Sequence, residues 1–206
     1  DLTLNLPNGV GTEHDRLTCS VNQIGHTRGY GTGRGDKGYL NPVMNMATAD
    51  LCDNHPNMIH VVDASIAFRS FGLRKSFHGR ISTVKCHEDN SFVKKAVNEE
   101  GHGQVLVVDG GGSSRRSLLG DDLARTASSN GWSGIVIYGY VRDSAIIDSV
   151  DIGVKALGTV PIKTDKNNIG QRDVVLRFLG TQFQPGHYIY SDSDGIVVSS
   201  TALYSV

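Results

Sequence analysis

The chain has 206 residues, of which 38% are hydrophobic and 20% charged, and its formal net charge is −1 at pH 7. A chain of this length and apolar content buries one sizeable core, so we expect one main domain and not two small ones. The near-zero net charge argues against direct binding to nucleic acid, because sequence-independent affinity for phosphates requires an excess of Lys and Arg.

The sequence also predicts a location. No apolar run approaches the ~20 residues that cross a bilayer, and no positively charged start is followed by an apolar segment. Cys19, Cys52 and Cys86 lie far apart and form no CxxC pair, a spacing that fits neither a disulfide framework nor a zinc site. We therefore expect a soluble, intracellular protein without a membrane partner, in the cytoplasm or in an organelle.

The start of the chain differs from the rest. Residues 1–46 are rich in Gly, Asn and Thr and show no apolar periodicity beyond a short start. The run from Arg28 to Tyr39 contains glycines but lacks the spacing of a phosphate-binding loop, and no strand precedes it. We predict a glycine-rich N-terminal extension over residues 1–46 and a folded domain over residues 47–206.

Regular patterns begin at Ala47. A short helix is predicted behind Thr48, which can cap it. Ile81–Val84 reads as a strand, and Ser91–Gly101 as an amphipathic helix with Gly101 at its C-terminal cap.

The next three elements predict a βαβ unit. Val105–Val108 is a short apolar strand of the buried kind. A helix that begins near Gly120 and stops at Gly131 follows, and Gly134–Gly139 is a second buried strand. Strand, helix and strand in this order predict a parallel pair joined by a right-handed crossover.

The remainder of the chain predicts a second sheet. Short strand-like runs, broken by Gly, Pro and Asp, continue from residue 151 to residue 200. We therefore predict an α/β domain with two sheets and a helical layer.

The turn after the first buried strand, DGGGSSRR, has neither the Rossmann nor the Walker spacing, so a nucleotide site there is not expected. The helix start that follows is a better candidate for binding an anion. Its first backbone N–H groups lack partners within the helix and favour an anion by ~0.3–1 kcal/mol; they belong to Gly120, Asp121, Asp122 and Leu123. Either aspartate could instead cap the helix.

A second set of polar residues follows the next strand. Arg142 and Asp143 stand where a parallel βαβ unit brings two strand ends side by side, the edge at which α/β sheets bind ligands. Arg142 can bind a carboxylate and Asp143 can ligate a hard cation, or the two can form a structural ion pair.

Other polar residues have alternative interpretations. His87, Glu88 and Asp89 suggest a solvated loop more than a ligand cluster. The segment Asp192–Gly195 predicts a hairpin turn, although either of its aspartates could reach a site across an interface. Arg115 and Arg116 could bind a distal carboxylate or only solvate the turn, and Trp132 suggests packing.

From about Thr48 to Ser199 the sequence resembles the family of regulator of ribonuclease activity A and the class II 4-hydroxy-4-methyl-2-oxoglutarate aldolases. The resemblance runs through TADLCD, FRSFGLRKSFHGRISTVKCHEDN, GQVLVVDGGGSSRRSLLGD, NGWSGIVIYGYVRD, DIGVKALG and YSDSDGIVVS. The aldolase signature, an acidic residue, twenty others and Arg-Asp, appears as Asp121, residues 122–141 and Arg142-Asp143. The ribonuclease regulators often lose the last aspartate, which this chain keeps, while its amino half is close to the regulator branch.

The resemblance implies a site. The backbone of Gly120–Leu123 would hold the carboxylate of a pyruvate-type substrate, and Arg142 would contact its C2 oxygen. Asp143 would be the one direct protein ligand of Mg²⁺ or Mn²⁺, and Asp121 would hold a water on that metal. A site with few protein ligands suits Mg²⁺, which keeps several waters.

The resemblance also implies a fold, an activity and partners. The fold would be the swivelling β/β/α domain, in a homotrimer or a dimer of trimers with sites at subunit interfaces. The activity would be metal-dependent aldol cleavage of small 2-oxo acids to pyruvate, with decarboxylation of oxaloacetate. The alternative is a non-catalytic regulator that binds a ribonuclease or an RNA helicase.

Overall fold

The computed structural model describes residues 48–55, 58–62 and 68–203. The N-terminal extension predicted over residues 1–46 lies outside this part of the chain. Within the described residues, no helix is both long enough and apolar enough to cross a membrane.

The domain is α/β, as predicted. Its helices in the described part are α1 (Thr48–Asn54), α2 (Ser91–Val97), α3 (Asp121–Ser129) and α4 (Ser144–Ile147). The strands as far as the candidate site are β1 (Ile59–Val61), β2 (Arg69–Phe71), β3 (Phe77–Lys85), β4 (Val105–Asp109), β5 (Ser117–Leu119) and β6 (Gly134–Val141). The later strands are β7 (Gly153–Thr159), β8 (Gln171–Arg172), β9 (Leu176–Phe178), β10 (Thr181–Phe183), β11 (Tyr188–Ser191) and β12 (Ile196–Ser199).

The strands form a ten-stranded sheet and a separate two-stranded sheet of β9 and β10. The main sheet runs β1-β12-β11-β3-β4-β6-β7-β2, with β5 beside β6 and β8 beside β3. β3, β4, β6 and β7 are parallel neighbours, whereas β1, β12, β11 and β2 pair antiparallel. The predicted parallel pair is confirmed. A second sheet is present but smaller than predicted, because only β9 and β10 form it, whereas β7, β8, β11 and β12 belong to the main sheet.

Alternation along β4 places a core on each face of the main sheet. Leu106 and Val108 pack with α2 and α3 in one apolar cluster, while Val105 and Val107 pack with the small sheet in another. All four side chains are fully buried. The molecule is therefore layered as helices, main sheet and small sheet, which is why β4 reads as a continuous apolar run.

The main sheet is strongly curled. The Lys155 ammonium on β7 donates to the backbone oxygen of Asp192, which follows β11, although these strands are four steps apart in the sheet. A flat sheet would hold them roughly 19 Å apart at ~4.8 Å per strand. On the inner side of the curl, the Phe77 ring lies where a side chain on Gly134 or Gly153 would overlap it.

The structure differs from the sequence prediction at several boundaries. β3 extends over Phe77–Lys85, well beyond the predicted strand, because its first half pairs with β11 and its second half with β4. α2 ends at Val97, and Gly101 is not its cap. Gly101 instead lies against Trp132, whose ring and backbone would stand 2.6 Å from a Cβ there. β5 and α4 were not predicted.

Two of the cysteines lie in the described part of the chain. Cys52 is buried in α1 and Cys19 lies outside the described residues, so the expectation that the cysteines form no disulfide framework stays a prediction. Cys86 is free and buried. Burial raises the pKa of its thiol to about 12, with the charges of Asp89 and Asp109 adding to the shift. Its thiol therefore stays protonated at neutral pH.

Candidate active site

The candidate site lies where β5, α3 and β6 meet. β5 runs parallel to β6 and delivers the chain directly to Gly120 and the start of α3. At the end of β6 the Arg142 N–H donates to the Leu119 carbonyl at 2.9 Å. Residues that are distant in sequence, Gly120 and Arg142, are thus brought into contact.

Gly120 supplies space at this contact. Its φ of −122° and ψ of −177° are extended backbone angles that any residue adopts. A Cβ there, however, would stand 2.9 Å from Asp143 Oδ2 and 3.0 Å from Arg142 Nε. The lack of a side chain therefore lets both polar groups lie over the start of α3.

Asp143 has an unusual backbone that turns its carboxylate towards the site. It is the N-cap of α4 with φ 56° and ψ 35°, a left-handed conformation that Asp tolerates better than most residues. An N-cap Asp commonly accepts a backbone N–H of its own helix, an interaction worth ~1 kcal/mol. Here the carboxylate makes no such cap and lies 3.3 Å from Arg142 Nε.

The start of α3 is open to an anion. Gly120 is the N-cap, and within the described residues no side chain caps the helix. The alternative that Asp121 or Asp122 serves as the cap is therefore wrong. Asp121 Oδ2 lies 3.6 Å from the Arg125 guanidinium on the same helix, and Asp122 is exposed.

The possible metal ligands at the site suit a cation that retains several of its bound waters. Across the described ranges, no group of three or more His, Cys, Asp or Glu side chains is placed to enclose an ion. Asp143 offers a partly exposed carboxylate beside the space that Gly120 leaves open. These residues fit Mg²⁺ or Mn²⁺ bound through one carboxylate better than a cation that needs a full protein cage.

The arginines of the glycine-rich turn have fixed partners. Arg115 Nε donates to Glu88 Oε1 at 2.6 Å, and Ser113 Oγ donates to the same oxygen at 2.6 Å. These two hydrogen bonds lower the pKa of Glu88. Arg116 donates to the Lys163 carbonyl at 2.9 Å and to Asp165 at 3.3 Å. Neither arginine simply solvates the turn.

The other sequence interpretations have mixed outcomes. The expected solvated loop holds for His87 but is wrong for Asp89, which is 2% exposed and accepts three backbone N–H groups. The hairpin turn at Asp192–Gly195 is confirmed, and the Asp192 carboxylate accepts from the N–H and hydroxyl of Thr48. Trp132 is buried, as predicted for packing.

Two residues near the site were missed from the sequence. Asn90 Nδ2 donates to the Leu118 carbonyl, and Thr164 Oγ1 donates to Asn90 Oδ1. The sequence signal that could have pointed to these contacts is the leucine pair between the turn and the helix, which belongs to strand β5 (Ser117–Leu119).

Comparison with known proteins supports the resemblance. The profile of the RraA-like family, described as Aldolase/RraA, matches residues 48–198. A relative from Hahella chejuensis is 52% identical over 160 residues, covering 78% of this chain and 96% of its own. One from Pseudomonas aeruginosa is also 52% identical over 160 residues, covering 78% and 98%. Both carry the name "Putative 4-hydroxy-4-methyl-2-oxoglutarate aldolase".

Solved structures agree on the fold. The RNA-processing inhibitor RraA from Thermus thermophilis is 42% identical with a TM-score of 0.74, covering 78% of this chain and 96% of its own. A Geobacillus kaustophilus structure, named S-adenosylmethionine:2-dimethylmenaquinone methyltransferase, is 47% identical with a TM-score of 0.75, covering 77% and 97%. The names describe different activities, but the fold is shared. The chain belongs to the RraA-like family.

Proposed function

We propose that the protein is a divalent-metal-dependent lyase that cleaves 4-hydroxy-4-methyl-2-oxoglutarate-type 2-oxo acids to pyruvate and also decarboxylates oxaloacetate. The observation that carries the proposal is the meeting of an uncapped helix start with the Arg142–Asp143 pair across Gly120. The names of the 52% identical relatives point to the same activity.

The chain's own groups bind and orient the substrate. The backbone N–H groups of Gly120–Leu123 seat the carboxylate next to the 2-oxo group, as helix starts do for anions. Arg142 donates to the C2 oxygen and stabilises the negative charge that grows there. Arg142 is only partly exposed, so its bonds are less screened than those of a surface guanidinium.

The reaction balances as a carbon–carbon cleavage without oxidation. The proton leaves the C4 hydroxyl, the C3–C4 bond breaks, and its electron pair moves into a pyruvate enolate. A proton then adds at C3, so one six-carbon acid gives two pyruvates. In oxaloacetate the C3–C4 bond breaks in the same way, and the products are CO₂ and one pyruvate. Asp121 is the carboxylate that we assign to holding water for these proton transfers.

Asp143 would hold the metal directly. A divalent cation supplies Lewis-acid stabilisation of the charge on the 2-oxo group, an effect of several kcal/mol. No lysine is required to form a Schiff base.

A coupled assay that follows pyruvate release from both substrates tests the proposal. EDTA should abolish release, and Mg²⁺ or Mn²⁺ added back in excess should restore it. If neither substrate releases pyruvate with metal present, the lyase proposal is wrong. Arg142→Ala should lose at least ~10-fold in kcat, because charged hydrogen bonds contribute ~1.5–3 kcal/mol.

A second candidate function is regulation of a ribonuclease or RNA helicase by direct binding. The 42% identity to the RNA-processing inhibitor RraA supports it. Stoichiometric recovery of an RNA-processing enzyme by a chain inert towards oxo acids would favour this function. The retained Arg142–Asp143 pair favours the lyase.

Assembly and location complete the proposal. We expect a homotrimer or a dimer of trimers, which light scattering of the full chain would show. An intracellular, cytoplasmic location stays a prediction for cell fractionation. Direct nucleic-acid binding is not expected, because the net charge is −1.

A further inference from the structure

Strand β5 sets the position of the candidate site and is supported on both of its edges. One edge pairs with β6. The other is covered by residues 160–170, which follow β7 and which we call the strap. The Ser117 N–H donates to the Ile162 carbonyl at 2.8 Å, and Ser117 forms a parallel bridge with Lys163.

Asn90 joins the strap to β5. Its Nδ2 donates to the Leu118 carbonyl at 3.2 Å, and its Oδ1 accepts from Thr164 Oγ1 at 2.8 Å. The carbonyl can only accept, so this contact fixes the orientation of the amide. Thr164 is 4% exposed and Leu118 2% exposed, which shields both bonds from water.

The side chain of Asn90 makes this bridge and does not cap α2. Asn90 is the N-cap of α2, a position at which Asn commonly accepts an N–H of the helix. No side-chain cap bond is made there. Nearby residues bind the same strap through further hydrogen bonds. The N–H groups of Asn167 and Ile169 donate to Asp89. The Asn168 N–H donates to Ser91 Oγ, and Lys95 donates to Asn168 Oδ1.

The bridge ends one residue from the candidate site. Leu119 follows Leu118, and its carbonyl accepts the Arg142 N–H. Gly120 comes next and lies beneath the Arg142–Asp143 pair. A shift of β5 would therefore move the start of α3 relative to the groups that face it.

We propose that Asn90 is a positioning residue, which fixes β5 against the strap and so sets the geometry of Gly120, Arg142 and Asp143. Its effect on metal binding and turnover rests on the proposed lyase function. Its effect on β5 does not depend on that function.

Asn90→Ala in the full chain is the test, with Asn98→Ala as the matched control. Asn98 stands at the other end of α2 and donates its amide to the Lys94 carbonyl at 2.7 Å, on an exposed surface. Hydrogen exchange should accelerate about five- to tenfold in peptides covering residues 117–123 and 139–143 of Asn90→Ala, the effect of losing about one hydrogen bond. The control should exchange like the wild type there.

Binding of Mn²⁺ alone, followed by electron paramagnetic resonance without substrate, gives a second measurement. Asn90→Ala should bind Mn²⁺ about five- to tenfold more weakly, whereas Asn98→Ala should not change. A merely structural role would lower the unfolding midpoint without this selective loss.

Thr164→Val separates the two halves of the bridge. It removes the bond to the strap and leaves the bond from Asn90 to Leu118, so its effect should be smaller than that of Asn90→Ala. The double variant should be no worse than Asn90→Ala, because both changes act through one bridge. If Asn90→Ala does not fold, the exchange of Thr164→Val in residues 117–123 decides the question.

Unchanged exchange over residues 117–123 in a folded Asn90→Ala chain would overturn the inference. Equal acceleration in Asn90→Ala and Asn98→Ala would do the same. A wild-type chain that releases no pyruvate would instead refute the proposed function, and the exchange comparison would still decide the role of Asn90.

Discussion

Two single residues shape the candidate site through their backbone and their size. Gly120 is extended and needs no glycine for its φ, yet its missing side chain lets Asp143 and Arg142 lie over α3. Asp143 adopts a left-handed backbone and leaves α4 without a side-chain cap. Both features allow a carboxylate and a guanidinium to lie over the start of a helix. They also lower local stability.

Gly120→Ala should lower kcat/KM for oxaloacetate by about tenfold or more. The added methyl meets two polar groups near 3 Å, and such overpacking costs ~1–3 kcal/mol. Steady-state kinetics at saturating Mg²⁺ measure the change. Gly195→Ala is the control, because nothing lies within 4 Å of a Cβ there. Equal kinetics in the two variants would show that the space at Gly120 is not used.

Asp143→Asn should abolish metal-dependent pyruvate release while leaving the unfolding midpoint nearly unchanged. Asn tolerates the left-handed backbone as Asp does but carries no charge to hold a divalent cation. Asp143→Ala should lose both activity and some stability, by about 1 kcal/mol, because Ala is strained at φ 56°. Calorimetry beside the pyruvate assay separates the two effects, and a fully active Asp143→Asn chain would contradict the assignment.

At the level of elements, the strap depends on a buried carboxylate. Burial alone raises the pKa of Asp89, but the hydrogen bonds from Ser91, Ile169 and Asn167 outweigh it and leave the pKa below the usual Asp range. A lowered folded pKa means that Asp89 stabilises the fold above its unfolded pKa of about 4, and that this stability is lost as pH falls through the folded pKa. The strap should therefore loosen in acid, as Asp89 becomes protonated.

Asp89→Asn tests this link. The variant should be less stable than the wild type at pH 7, by about 1–3 kcal/mol, because an amide replaces a charged acceptor of three N–H groups. The difference should shrink as the pH falls from about 4, the unfolded pKa, through the lower pKa at which Asp89 becomes protonated in the folded chain. Urea unfolding of both chains from pH 7 to pH 3 measures it, and a difference that stays constant with pH would contradict the role of the charge.

At the level of the whole molecule, one buried lysine bridges strands far apart in the curled sheet. Lys155 is 3% exposed and donates to Ser70 Oγ and to the Asp192 carbonyl. Burial lowers its pKa, while the charges of Asp192 and Asp194 oppose that shift. Asp192 in turn holds Thr48 at the start of α1. These contacts connect β2, β7, the β11–β12 turn and α1.

Lys155→Met should lower the free energy of unfolding by about 1–3 kcal/mol, because the Asp192 carbonyl and the Ser70 hydroxyl would lose a buried partner. Chemical denaturation with an unchanged m-value would show that the fold is kept. Lys85→Met, on exposed β3 surface, is the control and should change stability by less than about 0.5 kcal/mol. A wild-type-like Lys155→Met chain would show that the curl needs no such bridge.

Local patterns predicted a good part of this structure. β4 and β6 read as buried strands because both of their faces are covered, and α3 follows from the polar residues after Gly120. β5 was missed because three residues carry no detectable period. The end of α2 was misplaced because Gly101 is not a helix cap. A side chain at Gly101 would overlap Trp132. Asp89 was misjudged because two of its three N–H partners, Asn167 and Ile169, lie some eighty residues away along the chain.

The sequence by itself determined the family, the α/β class and the motif spacing between Asp121 and Arg142-Asp143, because motif spacing and apolar period can be read directly along the chain. Only the tertiary structure decided which side chains meet. The contact of Gly120 with Arg142 and Asp143, the bridge of Asn90 and the partners of Arg115 and Arg116 all join distant segments. Such contacts depend on how the sheet curls and where loops cross it, which no local pattern specifies.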